Sequence, residues 1–195
     1  GIVLFDGTGG ETPATLTSIG KREIVVGTGQ HLLIEREVAR QITLHTALIA
    51  NDRMDWMIQK ATELGAVAVQ PIYSERSQRI PGDIAKRVEH WRGVAIAACE
   101  QSGRNRVPGV FAPISFAETL SATHGAMNVL LDAEGEHGGV LHSNAVNLFI
   151  GPEGGFAPHE RDSLLAHCTH RLRIGSTVLR AETAAVAAMA LLGNP

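Results

Sequence analysis

Two stretches near the C-terminus share one build: a short strand, a glycine break, then a helical pattern. The first is VNLFIGPEGGFAPHERDSLL from Val146, and the second is RLRIGSTVLRAETAA from Arg171. An apolar strand that breaks at glycine and re-enters as a helix is half of a crossover unit, and parallel strands need such crossovers to be joined. The strand VNLFI is largely apolar, as expected when both sheet faces are covered. This repeat therefore restricts the chain to an α/β architecture, with a mostly parallel sheet and helices on both faces. In such sheets ligands gather at the carboxyl ends of the strands.

The upstream sequence continues the pattern. ITLHTALI reads as a strand, followed by the helix NDRMDWMIQKATELG, with Met54, Met57, Ile58, Ala61 and Leu64 at helical spacing. Asp52 is placed to cap it, Asp55 favours its positive end, and Gly65 supplies the stop. AVAVQPI reads as a buried strand. A second helix is predicted from Asp83 to Ser102, ended by Gly103, and NVLLD (128–132) as another strand. The final helix is ETAAVAAMALL.

Residues 1–41 differ from this. They alternate short β-rich runs with Gly, Thr and Ser, as small antiparallel strands do. GTGGET has no helix after it, so a hairpin turn is expected rather than a phosphate cradle. HLLIEREVARQ reads as a connector or a last strand. The chain opens within a strand-like run, GIVLFDG, so further residues are expected before it. The reading divides at 41/42, into a small β-domain (1–41) and an α/β domain (42–195).

The glycine loops carry the chemistry. Gly151, Gly154 and Gly155 allow close approach of a ligand to the backbone, as does Gly175 in the second loop. Neither loop has the Lys-Ser or Lys-Thr of a nucleotide P-loop, nor the spaced dinucleotide fingerprint. A third strand end, LLDAEGE, adds Leu131, Asp132, Glu134 and Gly135, and three such ends suggest one pocket walled by backbone. Taken alone, IGPEGGF also fits a tight turn that needs glycine for its own geometry.

Composition narrows the partners. A net charge of −3 gives no global basic footprint for nucleic acid, so any RNA contact must be local, and no DNA role is indicated. The longest apolar run, TAAVAAMALLG, is too short to span a bilayer, and no membrane role is expected. Cys99 and Cys168 read as free, buried thiols in a reducing cytoplasm. His167 and His170 in HCTH have no further ligand cluster, so no metal is expected.

The segments DRMDWMIQKATELGA, ACEQSGRNRVP, LLDAEGE, LFIGPEGGF and RIGSTVLRAETAA together resemble the bacterial ribosomal RNA small subunit methyltransferase E family, of the knotted α/β (SPOUT) methyltransferases. The pairing of GPEGG with the later G-x-x-V-L-R-x-E-T-A is the most specific part. The resemblance implies a trefoil-knotted fold with an incomplete N-terminal PUA-like β-domain for RNA. It also implies S-adenosyl-L-methionine as methyl donor, with S-adenosyl-L-homocysteine as product, a homodimer, and methylation of a uridine N3 in 16S rRNA of the small ribosomal subunit. Carried onto this chain, Leu131, Ile150, Gly151, Gly155, Ile174, Gly175, Val178 and Leu179 would wrap the cofactor.

Uracil N3 is a poor nucleophile until its proton leaves, so the site wants a base or a stabilising cation. Arg180 is the candidate cation; Glu153 and Glu182 are candidate bases, and the reading does not separate them. A first-turn carboxylate held by the helix dipole accounts equally for Glu182. Arg53, Arg104, Asn105 and Arg106 are candidate RNA contacts, although EQSGRNR taken by itself reads as a solvated helix end. Two departures from the family pattern stand out. Ala50-Asn51 replaces a usual Lys-Gly before Asp52-Arg53, and Ala157 stands where Ser commonly precedes Pro158. Rival readings are a knotted methyltransferase with another RNA target and a non-catalytic RNA- or ribosome-binding protein. A nucleotide hydrolase is disfavoured by the absent P-loop lysine.

Overall fold

The computed structural model describes residues 1–79, 82–123, 125–137 and 142–193. The last two residues of the expected 42–195 domain lie outside that range. Strands β1 (Ile2–Leu4), β2 (Thr12–Ile19) and β3 (Ile24–Thr28) form a small antiparallel sheet in that order. Its GTGGET loop is a turn, as expected. Gly9 has φ +106, and a Cβ there would lie 2.6 Å from the Arg106 guanidinium. Residues 31–40 are a connector with no ladder strand, touching the sheet through the Glu11–Leu32 bridge.

The rest is β4 (Gln41–Ala47), α1 (Asn51–Glu63), β5 (Ala66–Tyr73), α2 (Ile84–Ser102), β6 (Gly109–Val110), β7 (Ile114–Ser115), α3 (Phe116–Ala122), β8 (Met127–His137), β9 (Ala145–Ile150), α4 (Pro158–His167), β10 (His170–Arg173) and α5 (Ala181–Gly193). The sheet order is β10-β8-β9-β4-β5-β6, with β7 beside β5, and every pairing among them is parallel. Two local expectations are corrected. Ala50, not Asp52, is the N-cap of α1, because the chain enters the helix two residues earlier and leaves Asp52 in the first turn. The short α3 is an unpredicted helix, although its Ser115–Glu118 capping box is present in the sequence.

Strand alternation sorts the side chains into two layers. Ile42, Leu44, Val129, Val146, Leu148 and Ile150 pack with Met57 and Ile58 of α1, Trp91 of α2 and Met189 of α5. On the other face Leu130 and Phe149 pack with Phe156 and with Leu164 of α4. That second face also carries a buried polar row. The His45 imidazole meets Asn147 Oδ1 at 3.2 Å, Asn147 donates to Asn128 Oδ1 at 2.8 Å, and Asn128 meets His167 at 3.0 Å.

Burial pulls the His45 pKa down from 6.5 to about 4, against the opposing effect of its hydrogen bond to Asn147. A depressed histidine binds protons more readily when unfolded, so stability is full above pH 6.5 and is lost as pH falls toward 4. The loss is on the order of 3 kcal/mol. His45→Gln, which can keep an amide contact to Asn147, is expected to remove most of that slope when thermal midpoints are compared between pH 7 and pH 4. An unchanged slope would place the acid sensitivity elsewhere.

Candidate active site

The middle of β8, which runs on to His137 rather than ending near Asp132 as expected, and the carboxyl ends of β9 and β10 surround a cavity of about 270 Å3, close to the lower bound of about 300 Å3 for small-molecule sites. Leu130, Leu131 and Asp132 come from β8. Ile150 ends β9 and passes into Gly151, Pro152, Glu153, Gly155 and Phe156. Leu172 and Arg173 come from β10, continuing through Ile174 to Thr177, Val178 and Leu179, with Ala181 and Ala184 of α5 closing the wall. The surface is mainly aliphatic, as a slot for a flat heterocycle requires.

The glycine loop is shaped by its own turn and fastened from beneath. Gly155 takes φ +67, and its N–H reaches Pro152 O at 2.8 Å. A Cβ on Gly151 would sit 3.1 Å from the Phe156 nitrogen and 3.2 Å from its ring. Arg76 donates to Gly154 O at 2.9 Å. With no hydroxyl at Ala157, the buried Glu160 satisfies the helix entrance by accepting from Ala157 N at 3.0 Å. Its other oxygen accepts from Glu75 N at 2.9 Å, tying a second loop to the first.

One rim of the cavity is ionic. Asp132 lies 2.9 Å from Arg161 and 3.2 Å from Arg171, and Arg161 also meets Glu134 at 2.5 Å. Burial alone would raise the Asp132 pKa. The Glu134 backbone N–H and the two guanidinium groups outweigh it and hold the carboxyl below its ordinary value. Gly135 does not face the cavity. A Cβ there would lie 2.9 Å from the Arg171 carbonyl, so this glycine serves close packing of β8 against β10.

A second cleft, about 330 Å3, lies beside the first and is lined by Asp52, Arg53, Trp56, Arg180, Glu182 and Thr183. The turn into α5 is the partition: Leu179 and Ala181 line the first cavity, Arg180 and Glu182 the second. Arg53 spans the two, 3.2 Å from Glu153 and 3.8 Å from Glu182 Oε1.

Leu131, Ile150, Gly151, Gly155, Ile174, Val178, Leu179 and Glu153 are thus brought to one cavity, and Arg53, Arg180 and Glu182 to the adjoining cleft. Gly175 takes φ +68 in the connecting turn and is outside the cavity wall. Arg104 and Asn105 have a different task from the RNA contacts expected of them. Arg104 is 6% exposed and pairs with Glu37, while Asn105 donates to Ile34 O at 2.7 Å. Arg106 is exposed, 2.8 Å from Glu35, and holds Thr8 O. Sequence reasoning missed Arg161, Phe156 and Trp56. Trp56 stands three residues after Arg53 on α1, and that spacing was the available signal.

Residues 36–193 match the family described as an RNA methyltransferase domain. A ribosomal RNA small subunit methyltransferase E from Rickettsia conorii is 31% identical over 204 aligned positions, spanning 100% of this chain and 82% of that protein. The crystal structure of the Neisseria gonorrhoeae ribosomal RNA small subunit methyltransferase E bound to S-adenosyl methionine is 34% identical, with a TM-score of 0.90 over 97% of this chain and 80% of that one. A Legionella pneumophila protein whose structure holds the bound cofactor SAM is 32% identical, with a TM-score of 0.88 over 97% of this chain and 81% of that one. The chain belongs to the ribosomal RNA small subunit methyltransferase E family.

Proposed function

We propose that this chain transfers a methyl group from S-adenosyl-L-methionine to N3 of a uridine in 16S rRNA of the small ribosomal subunit. One observation carries the reading. An aliphatic cavity walled by glycine loops adjoins a charged cleft, and a single turn of chain separates the two. The Neisseria gonorrhoeae relative, whose structure holds S-adenosyl methionine, supports the first half of the assignment.

The cavity suits that cofactor. Its leucine and isoleucine walls accept an adenine face, and the bare backbone at Gly151 leaves amides approachable. Leu131, Ile150, Gly151, Gly155, Ile174, Val178 and Leu179 would hold the adenosine, with Gly175 setting the turn between the last wall segments. When bound, the cofactor supplies a methyl already activated on a sulfonium, so no metal is required. The chain's own residues do the rest. Glu153 or Glu182 takes the N3 proton, and Arg180 stabilises the charge spreading onto the uracil oxygens. Arg53 and Arg106 contact the RNA backbone; Arg104 and Asn105 contribute by fixing the segment that carries Arg106.

The larger frame follows the family. Residues 1–41 act as part of a PUA-like RNA-binding unit and 42–195 as the methyltransferase domain. The C-terminal path forms a trefoil knot, the working form is a homodimer, and the site of action is the cytoplasm. Support for the knot is that α5, after the edge strand β10, packs against α1, β4 and β9 in mid-sheet. Isothermal titration with S-adenosyl-L-homocysteine, with ATP and NAD as controls, tests the cofactor site. Binding of S-adenosyl-L-homocysteine alone is expected; a folded chain that binds none of them would remove the methyltransferase reading.

A further inference from the structure

The adjoining cleft holds a set of side chains that the fold does not use. Glu182 is 7% exposed, yet its Oε2 is buried with no hydrogen-bond partner among the described residues, and its Oε1 has only Arg53 at 3.8 Å. A carboxylate oxygen left unsatisfied away from water is costly, and such groups in folded proteins call for an explanation. Beside it the Arg180 guanidinium is exposed, with neither an ion pair nor a hydrogen bond among the described residues. Trp56 completes the cleft with 42% of its surface exposed, whereas Trp91, the other tryptophan, is fully buried in the core. Nothing in the packing of α1 requires an indole at position 56: Met54, Met57, Ile58 and Ala61 form the apolar stripe.

We infer that this cleft is the receptor for the target base, with Trp56 stacking on its face and the Glu182 carboxylate accepting its imide N–H. The inference rests on the RNA-methylation reading and deepens it, naming what selects the base and what holds it. An aromatic plane flanked by two guanidinium groups is the combination that single-stranded nucleic acid favours, with π-stacking for the base and cations for the phosphates. Arg53 provides the cation for the phosphate and Arg180 the one beside the base edge; Asp52, the remaining acid of the cleft, is exposed. The acceptor gives selectivity. Uracil carries a hydrogen on N3 and cytosine does not, so an unprotonated carboxylate rewards uracil and leaves cytosine facing it with a lone pair. Because Leu179 and Ala181 on one side and Arg180 and Glu182 on the other share a turn, a base held there lies across one wall from the cofactor cavity.

Tryptophan emission tests this directly, since Trp56 is exposed and Trp91 is not. Oligouridylate is titrated into the full chain with and without S-adenosyl-L-homocysteine, alongside labelled oligouridylate followed by anisotropy. Saturable quenching is expected. Trp56→Phe should lose the quench yet keep affinity within about threefold, because a ring is retained, while Trp56→Ala should weaken binding about tenfold or more. In turnover assays Trp56→Ala should raise KM for RNA and leave kcat and S-adenosyl-L-homocysteine affinity in place. Oligocytidylate should bind more weakly than oligouridylate, and Glu182→Gln should narrow that gap. Unaltered oligouridylate affinity in Trp56→Ala would overturn the inference. So would a change in sedimentation mass for that variant, because a second copy of the chain would then be what covers Trp56. Quenching that persists while S-adenosyl-L-homocysteine fails to bind would sink the cofactor assignment and leave the base receptor standing.

Discussion

Arg104→Met is expected to lower the stability of the chain by about 3–5 kcal/mol, as breaking a buried ion pair from one side does. The guanidinium donates to Thr62 O at 2.6 Å and Ala66 O at 3.0 Å, and clasps both oxygens of Glu37. Thr62 is in the last turn of α1, where carbonyls lack helical partners and a cation meets the negative end of the dipole. One side chain therefore joins the end of α1, the start of β5, the segment after α2 and the 31–40 connector. Methionine fills the space, leaves the Glu37 carboxylate without its guanidinium, and removes a donor from the Thr62 and Ala66 carbonyls, of which Thr62 O keeps only the Gly65 N–H at 3.0 Å. Urea unfolding followed by circular dichroism measures the loss, and adding Glu37→Leu should recover part of it, because the orphaned charge is removed. S-adenosyl-L-homocysteine affinity below the unfolding transition should be unchanged. If Arg104→Met keeps its stability and loses only RNA affinity, the residue is a surface contact after all.

Arg104 also marks where sequence reasoning stops. Arg and Asn after a helix end look like solvent-facing groups, and nothing local shows that Glu37, far back in the chain, returns to pair with one of them. Asp52 fails as a cap for a related reason: several residues could start that helix, and the exit from β4 selects Ala50. What was legible had a one-dimensional signature. The positions of Ile150 and Ile174 follow from strands broken by glycine, whose ends meet on one edge of a parallel sheet, whereas Leu131 lies within β8, which continues to His137. The sheet order was not legible, since β9 inserts between β8 and β4 and α5 crosses back to mid-sheet, and both are long-range choices. Trp56 went unread because it lies off the apolar stripe of α1, so its use depends on α5 bringing Arg180 and Glu182 beside it.

Arg180→Ala is expected to reduce kcat by about 10²–10³-fold, the scale of losing one preorganised charge-stabilising donor, with S-adenosyl-L-homocysteine affinity held within about twofold. The separation follows from the turn at the start of α5: Leu179 and Ala181 face the glycine-loop cavity proposed for the cofactor, and Arg180 faces the neighbouring cleft. Its guanidinium has no partner among the described residues, so removing it orphans no buried group and should cost little stability. In the proposed reaction its role begins only when uracil N3 gives up a proton and the charge moves onto the two carbonyl oxygens, which a planar, fork-shaped cation can meet. Arg180→Lys keeps the charge and loses the fork, so an intermediate rate is expected. Single-turnover methylation isolates the chemical step from product release. A parallel fall in cofactor affinity would move Arg180 into the cofactor site, and an unchanged rate would leave one of the glutamates to carry the chemistry without it.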